Sequence, residues 1–241
     1  MKIKDARARK IISVLAKLPV REGRLLDIGC AGGELSIAFK ETLKAREIFG
    51  IDISDSNIRN AILKGITTSK IDVNFEKFPF PDNFFDIVIA SEILEHCIVP
   101  EHLLSETNRI LKPGGYFILT TPNLASYYDR LFLLLGNQPL LLDASFKYPM
   151  VGKFEGYSSS KQRLERGVFE GDPGHIRCMT QKATKELVKS LKFSLKKVTA
   201  YSWAYASVAP QYKPFVFILD KFFSLIPGFA VGYIYIAYKE I

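Results

Sequence analysis

The stretch that most restricts what this chain can fold into is Arg24 to Ser36, RLLDIGCAGGELS. Arg24 to Ile28 is a short apolar run that carries an acid, Asp27, near its end. Such a run suits a strand buried in a parallel sheet as it reaches its carboxyl end. Gly29, Gly32 and Gly33 follow, and glycine allows positive φ and lets a ligand lie against bare backbone. From Glu34 the spacing becomes helical, with Leu35, Ala38 and Phe39 on one face. The unit is strand, glycine turn, helix, and the helix points its unpaired N–H groups at whatever lies on the turn.

The glycine spacing is not the G-x-G-x-x-G of dinucleotide sites. Asp27 would repel a pyrophosphate but would suit an ammonium group. One strand later Ile48 to Ile53 (IFGIDI) is another apolar run with an acid, Asp52, followed by Ile53. Asp52 lies near the distance from Gly29 at which an acid accepts the hydroxyls of an adenosine ribose. An amino acid and a ribose on one ligand point to S-adenosyl-L-methionine, with S-adenosyl-L-homocysteine as the product. Asp27, Gly29 and Gly32 are therefore assigned to its methionine end, with Cys30 a small turn residue whose backbone is close to the ligand. Asp52 and Ile53 are assigned to the ribose side.

Four segments, LLDIGCAGG, GIDIS, FPFPDNFFDIVIASEILEH and ILKPGGYFILTTPN, occur in order between about Leu25 and Asn123. Together they resemble the successive motifs of class I S-adenosylmethionine-dependent methyltransferases, in the style of the small-molecule, quinone-biosynthesis-like (type 11) subgroup. The resemblance implies an α/β fold. Its sheet would be Rossmann-like, seven-stranded and mostly parallel with an antiparallel last strand, and helices would cover both faces. It also implies that the N-terminal helix closes over the cofactor, and that Asn74 and the backbone N–H of Phe75 meet the adenine. Asn74 stands where the family often has an acid, and Asp72 is the alternative register.

The length of 241 residues and the 48% hydrophobic content suit a single domain with a sizeable core. The expected parts are an N-terminal helix (1–20), a cofactor core (21–123), a substrate lid (124–175) and C-terminal helices and edge strands (176–241). Cys30, Cys97 and Cys178 are odd in number and far apart, which argues for a reducing compartment rather than a disulfide framework. With no signal-peptide pattern at the N-terminus, a cytoplasmic location is expected. Nearly all of the net charge of +8 sits in residues 124–241, whereas residues 1–123 are close to balanced. That half would suit an anionic acceptor or a membrane surface, although a solvated basic surface is the simpler reading.

Along the chain, helices are expected at Lys4–Leu18, after Ser54, at Pro100–Leu111, Leu124–Leu135, Thr180–Leu191 and Pro214–Leu225. Strands are expected at Ile71–Phe75, Phe85–Ala90, Tyr116–Thr121, Phe193–Trp203 and Gly232–Lys239. Ser91 and the residues after it, up to His96, fall at a strand's carboxyl end, where open α/β sheets bind ligands. Residues 138–173 have no clear period and read as a lid or binding loop. Phe222–Tyr238 carries no charge, but it is too short and too broken by Pro227-Gly228 to span a bilayer. Peripheral contact through Leu131–Leu142 is the alternative.

Methyl transfer from a sulfonium needs alignment and exclusion of water more than a dedicated nucleophile. If the acceptor is a hydroxyl, His175 and His96 are the candidate bases, His175 the better of the two. His96, Cys97 and His102 lack metal-ligand spacing, and no metal is expected. Arg177 and Lys161–Arg166 would face an anionic substrate. The function read from these residues is methyl transfer to a small-molecule or lipid-like acceptor. The rivals are an RNA or protein acceptor, or a non-catalytic cofactor-binding partner subunit. Thr120-Thr121-Pro122-Asn123 is not the N/D-P-P-aromatic motif of amino-directed nucleic-acid enzymes, and nucleic acid is disfavoured. Asp27 and the glycine spacing also disfavour a nicotinamide-dependent oxidoreductase.

Overall fold

The computed structural model describes residues 6–20, 22–145, 147–148, 151–153, 174–202 and 210–240. Helix α1 (Ala6–Leu15) leads into β1 (Arg24–Ile28), α2 (Glu34–Leu43), β2 (Glu47–Asp52), α3 (Asp55–Leu63) and β3 (Thr67–Lys70). The second half holds β4 (Phe85–Ser91), a 3-10 turn (Leu94–His96), α4 (Pro100–Ile110), β5 (Leu111–Pro122) and α5 (Tyr127–Leu134). It closes with α6 (Gln181–Ser190), β6 (Phe193–Tyr201), α7 (Lys213–Phe223) and β7 (Gly232–Lys239).

The strands form one seven-stranded sheet in the order β3-β2-β1-β4-β5-β7-β6. All described pairings are parallel except those of β7, which runs antiparallel to both β5 and β6. Strand order reverses between β1 and β4, and the crevice at that reversal is where such sheets take ligands. Leu26, Ile28, Ile51, Val88, Phe117 and Tyr235 lie in one buried cluster, and Leu25, Ile48, Ile87, Ile118 and Ile234 lie in a second. Neighbouring residues of the same strands enter different clusters, as a sheet covered on both faces requires.

Two local expectations change. The third strand is Thr67–Lys70, not Ile71–Phe75, and it pairs with Phe49–Asp52. An edge strand needs no continuous apolar run, and the β-branched Thr67 and Thr68 suit extended backbone. Strand β5 begins at Leu111 rather than Tyr116. Pro113-Gly114-Gly115 is an irregularity within the strand, where the register with β4 jumps between Phe85 and Ile87. The expected strand end at Trp203, the helix start at Lys4 and Lys161–Arg166 lie outside the described residues, as does most of the expected lid.

Candidate active site

Three backbone kinks shape the turn after β1. Gly29, Ala31 and Gly33 all have positive φ, +72°, +46° and +85°. At Gly33 a Cβ would also come within 2.6 Å of Ile66 Cδ1, so glycine is required twice over. The main-chain N–H groups of Gly29 and Cys30 both donate to the Ile51 carbonyl of β2, which ties the turn to the neighbouring strand end. Gly33 is also the N-cap of α2 and brings no side chain to that helix end. From the other side Lys64 donates to the Gly32 carbonyl at 2.6 Å and pairs with Glu34 at 3.0 Å. Cys30 is buried with its Sγ in the space a side chain at residue 50 would fill, and burial pushes its thiol up to about 12.

Asp27 is buried and accepts the Ser36 hydroxyl at 2.6 Å. Burial pushes its carboxyl up to about 7, against the Ser36 hydrogen bond, and the charge of Asp52 adds to the rise. The two acids are therefore electrostatic neighbours, as expected from the adjacent β1 and β2, where Ile28 faces Ile51. Asp52 accepts from the Ala31 and Ser54 N–H groups, each at 2.9 Å, and from Asn57 Nδ2 at 3.1 Å. Three of the roughly four acceptor positions of a carboxylate are thus occupied. Ile53, next in the chain, is 39% exposed.

The adenine-side expectations meet a different geometry. Asn74 Oδ1 accepts the N–H groups of Ile98 and Val99, at 2.7 and 3.2 Å. Its side chain fastens the loop before α4 rather than presenting a free acceptor. The Phe75 N–H donates to the Asp72 carbonyl at 3.2 Å, closing a turn, so the part of Phe75 that remains available is its exposed ring. Asp72 itself accepts from Asn74, through both its main-chain and side-chain nitrogens.

Across the crevice Ser91 shares a 3.1 Å hydrogen bond with Thr120. Glu92 has a positive φ of 56°. Its Oε1 accepts from Thr120 at 2.8 Å and Tyr201 at 2.6 Å, and its Oε2 pairs with Arg7 of α1 at 3.0 Å. The first helix is thus pinned across the end of β4. The structure also brings the two candidate bases together, with the His96 and His175 rings 4.8 Å apart, centroid to centroid. The Glu95 main-chain carbonyl accepts the N–H groups of Ile176 and Arg177, which docks the segment carrying His175 against the 3-10 turn. Arg177 is exposed. His102 bonds instead to the Glu76 carbonyl, and Cys97 to that of Ile93.

Sequence reading missed Glu92, Ser36 and the three donors on Asp52. Glu92 was within reach of it, being the first acid past β4 at the crevice end of the strand. The contacts to Asp52 come from residues whose spacing carries no signal of its own.

A family model described as a methyltransferase domain matches residues 2–196. The chain belongs to that family, and its fold and motifs place it among the class I S-adenosylmethionine-dependent methyltransferases. S-adenosylmethionine is accordingly its cofactor. Among curated relatives, an uncharacterized methyltransferase of Schizosaccharomyces pombe is 32% identical over 123 residues, 46% of this chain and 44% of that protein. A ubiquinone/menaquinone biosynthesis C-methyltransferase of Paraburkholderia phymatum is 36% identical over 111 residues, 44% of this chain and 46% of the relative. The alignments thus span less than half the length of these curated relatives. The putative methyltransferase solved in complex with the Trm112 methyltransferase activator of Haloferax volcanii superposes with a TM-score of 0.62. It shares 16% identity, with 98% of this chain and 95% of that one covered. The methyltransferase domain thus has a fold-level match over nearly its whole length and sequence-level matches over under half of it.

Proposed function

We propose that the protein transfers a methyl group from S-adenosylmethionine to a small-molecule or lipid-like acceptor. The observation that carries this reading is the pair Asp27 and Asp52, two acids at the ends of adjacent strands on either side of a glycine turn. The residues fit the cofactor by their chemistry. Asp27 is a buried acid whose rim position suits an α-ammonium group, and pairing with it would restore the charged carboxylate. Asp52 keeps one acceptor position for a ribose hydroxyl. Gly29, Cys30 and Gly32 form the backbone wall along the methionine end. Ile53 and the ring of Phe75 offer apolar surface to the base, while Asn74 holds the loop in place, and Ser91 lies at the sulfur end.

When bound, S-adenosylmethionine supplies a methyl carbon already activated by its sulfonium. The chain's part is to align the acceptor and keep water out. Arg7, held by Glu92, keeps α1 over the crevice. His175 and His96, beside Glu95, are assigned to the acceptor side of the crevice, where a hydroxyl acceptor would lose its proton.

The apolar and basic surface supports the acceptor class. Leu131, Leu133, Leu134 and Leu135 are exposed on and just after α5, and Phe215, Phe217, Ile218 and Phe222 are exposed on α7. The two helices are joined by a stack of Tyr127 on Phe223, 4.7 Å between centroids, and by Tyr127 donating to Asp220 at 2.8 Å. Exposed Arg130, Lys213 and Lys221 accompany them. Apolar side chains ringed by basic ones suit the surface of an anionic membrane. Leu140 and Leu141 are buried and take no part. Among the described residues no helix is long and apolar enough to cross a membrane.

Calorimetry with S-adenosylmethionine tests the cofactor reading. Micromolar binding is expected, weakened at least about tenfold in Asp52→Ala, the loss of roughly one good hydrogen bond to the ligand. Unchanged affinity in that variant would remove the assignment. Incubation with methyl-labelled cofactor and fractionated cell extract tests the acceptor. Label is expected in the organic-soluble fraction, and label confined to RNA or protein would overturn the acceptor class.

A further inference from the structure

The side-chain cluster on the acceptor side of the crevice has a chemistry of its own. A carboxylate oxygen of Glu95 and one ring nitrogen each of His96 and His175 all lie within 4.8 Å of one another. Two donors on one cation with bonds of about 2.1 Å sit roughly 3–4 Å apart, so small side-chain shifts would complete such a set. Glu95 is completely buried. Its Oε2 takes the Thr121 hydroxyl at 3.1 Å, and its Oε1 is buried with no hydrogen-bond partner among the described residues. Leaving a buried acceptor unmatched costs the desolvation of that group with nothing in return, so an orphan of this kind calls for a ligand.

The third member is held from behind. His175 Nδ1 lies 3.2 Å from the Leu141 carbonyl, a contact that requires the proton on Nδ1 and puts the ring's lone pair on Nε2. The His175 N–H donates to Asp143 at 2.9 Å, and Asp143 is itself paired with the buried Lys153. An imidazole whose Nδ1–H is anchored on a backbone carbonyl is the usual arrangement behind a metal-ligating histidine. The local charge agrees. Glu92 acts on Glu95 through space, and burial together with that charge pushes the Glu95 carboxyl up to about 8, against the nearby His96 and the Thr121 hydrogen bond.

We propose that Glu95, His96 and His175 bind a divalent transition-metal cation, with coordination positions left open for an oxygen of the methyl acceptor. Two imidazoles and one carboxylate suit zinc, manganese, iron or cobalt better than magnesium or calcium, which favour all-oxygen sets. The cation lowers the pKa of an acceptor hydroxyl beside it. The hydroxyl proton leaves to solvent, the oxygen gains the methyl carbon, and the electron pair of the broken carbon–sulfur bond stays on sulfur. The role toward the acceptor rests on the methyl-transfer reading above, whereas occupancy by the cation is measured independently of it.

The test is equilibrium dialysis of the chelator-stripped full chain against 100 µM cobalt(II), with visible absorption recorded. About one cobalt per chain is expected, with d–d bands shifted from those of the aqueous ion. The double variant His96→Ala/His175→Ala should lose at least nine-tenths of the bound cobalt, and the near-isosteric Glu95→Gln should weaken binding at least tenfold. S-adenosylmethionine affinity measured on the same samples, expected within twofold of wild type, shows that the variants are folded. Asp52→Ala should do the reverse, keeping cobalt while losing cofactor. Failure of the wild type to bind cobalt, or full cobalt retention in the double variant, would overturn the site. Either result alongside intact cofactor binding would leave the methyltransferase reading standing.

Discussion

Asp27 shows how a single side chain registers its surroundings. Its carboxyl rises from the ordinary aspartate range to about 7 because it is buried, with the charge of Asp52 adding to the effect. Between about pH 4 and pH 7 the folded chain therefore holds a proton that the unfolded chain has released. Stability contributed by this group is complete below the unfolded value and is lost as pH climbs through 7. Glu95, pushed up to about 8 by burial and by Glu92, acts in the same direction over a window one unit higher. The cofactor-free protein should melt at a lower temperature at pH 8 than at pH 5.5, and Asp27→Asn should flatten part of that slope. A melting curve independent of pH in this range would contradict the burial of these acids. Cofactor binding should show the opposite trend, tightening from pH 5.5 to 7 as Asp27 ionises to meet the ammonium group. It should stop improving near pH 8, where an ordinary α-amino group begins to lose its proton. Calorimetry across that range, with Asp27→Asn as the flat control, reads it directly.

Among the elements, the strand–turn–helix around Gly29–Gly33 was legible because each of its parts is a local necessity. The apolar run, the positive-φ positions and the start of the helical period all appear in the residues themselves. Gly33→Ala should lower stability by about 1–3 kcal/mol, since the added methyl meets Ile66 and the backbone sits in the left-handed region. Denaturant titration reads this as a lower midpoint, and an unchanged midpoint would show that the turn relaxes freely. Strand β3 was misplaced because Thr67-Thr68-Ser69-Lys70 lies at the sheet edge, where pairing partner rather than hydrophobic pattern decides. The three-way anchorage of Glu92 and the Glu95–His96–His175 cluster were harder to read. Arg7 and Tyr201 lie far in sequence from Glu92, and His175 lies far from Glu95-His96, so only the folded chain brings them to one rim.

At the level of the whole molecule, the basic and apolar surface of α5 and α7 belongs to the same half of the chain as His175. If that surface rests on a membrane, the crevice would work next to the acceptor's own phase. Sedimentation with vesicles containing one-third anionic lipid should carry down the wild-type protein and leave most of a Leu134→Glu/Phe217→Glu double variant in solution, with cofactor affinity unchanged. Equal sedimentation of the two proteins would show that this face does not touch lipid.

Glu92 also has a bearing on how the opening helix and the outermost strand behave together. One carboxylate joins Arg7, near the start of the described chain, to Tyr201 on the outermost strand and to Thr120 between them. Loosening the opening helix would strip this acid of its counter-charge while it still faces a buried phenol. The disturbance would then be felt at the far border of the sheet, so the opening helix and that outermost strand hold or yield as a single clasp.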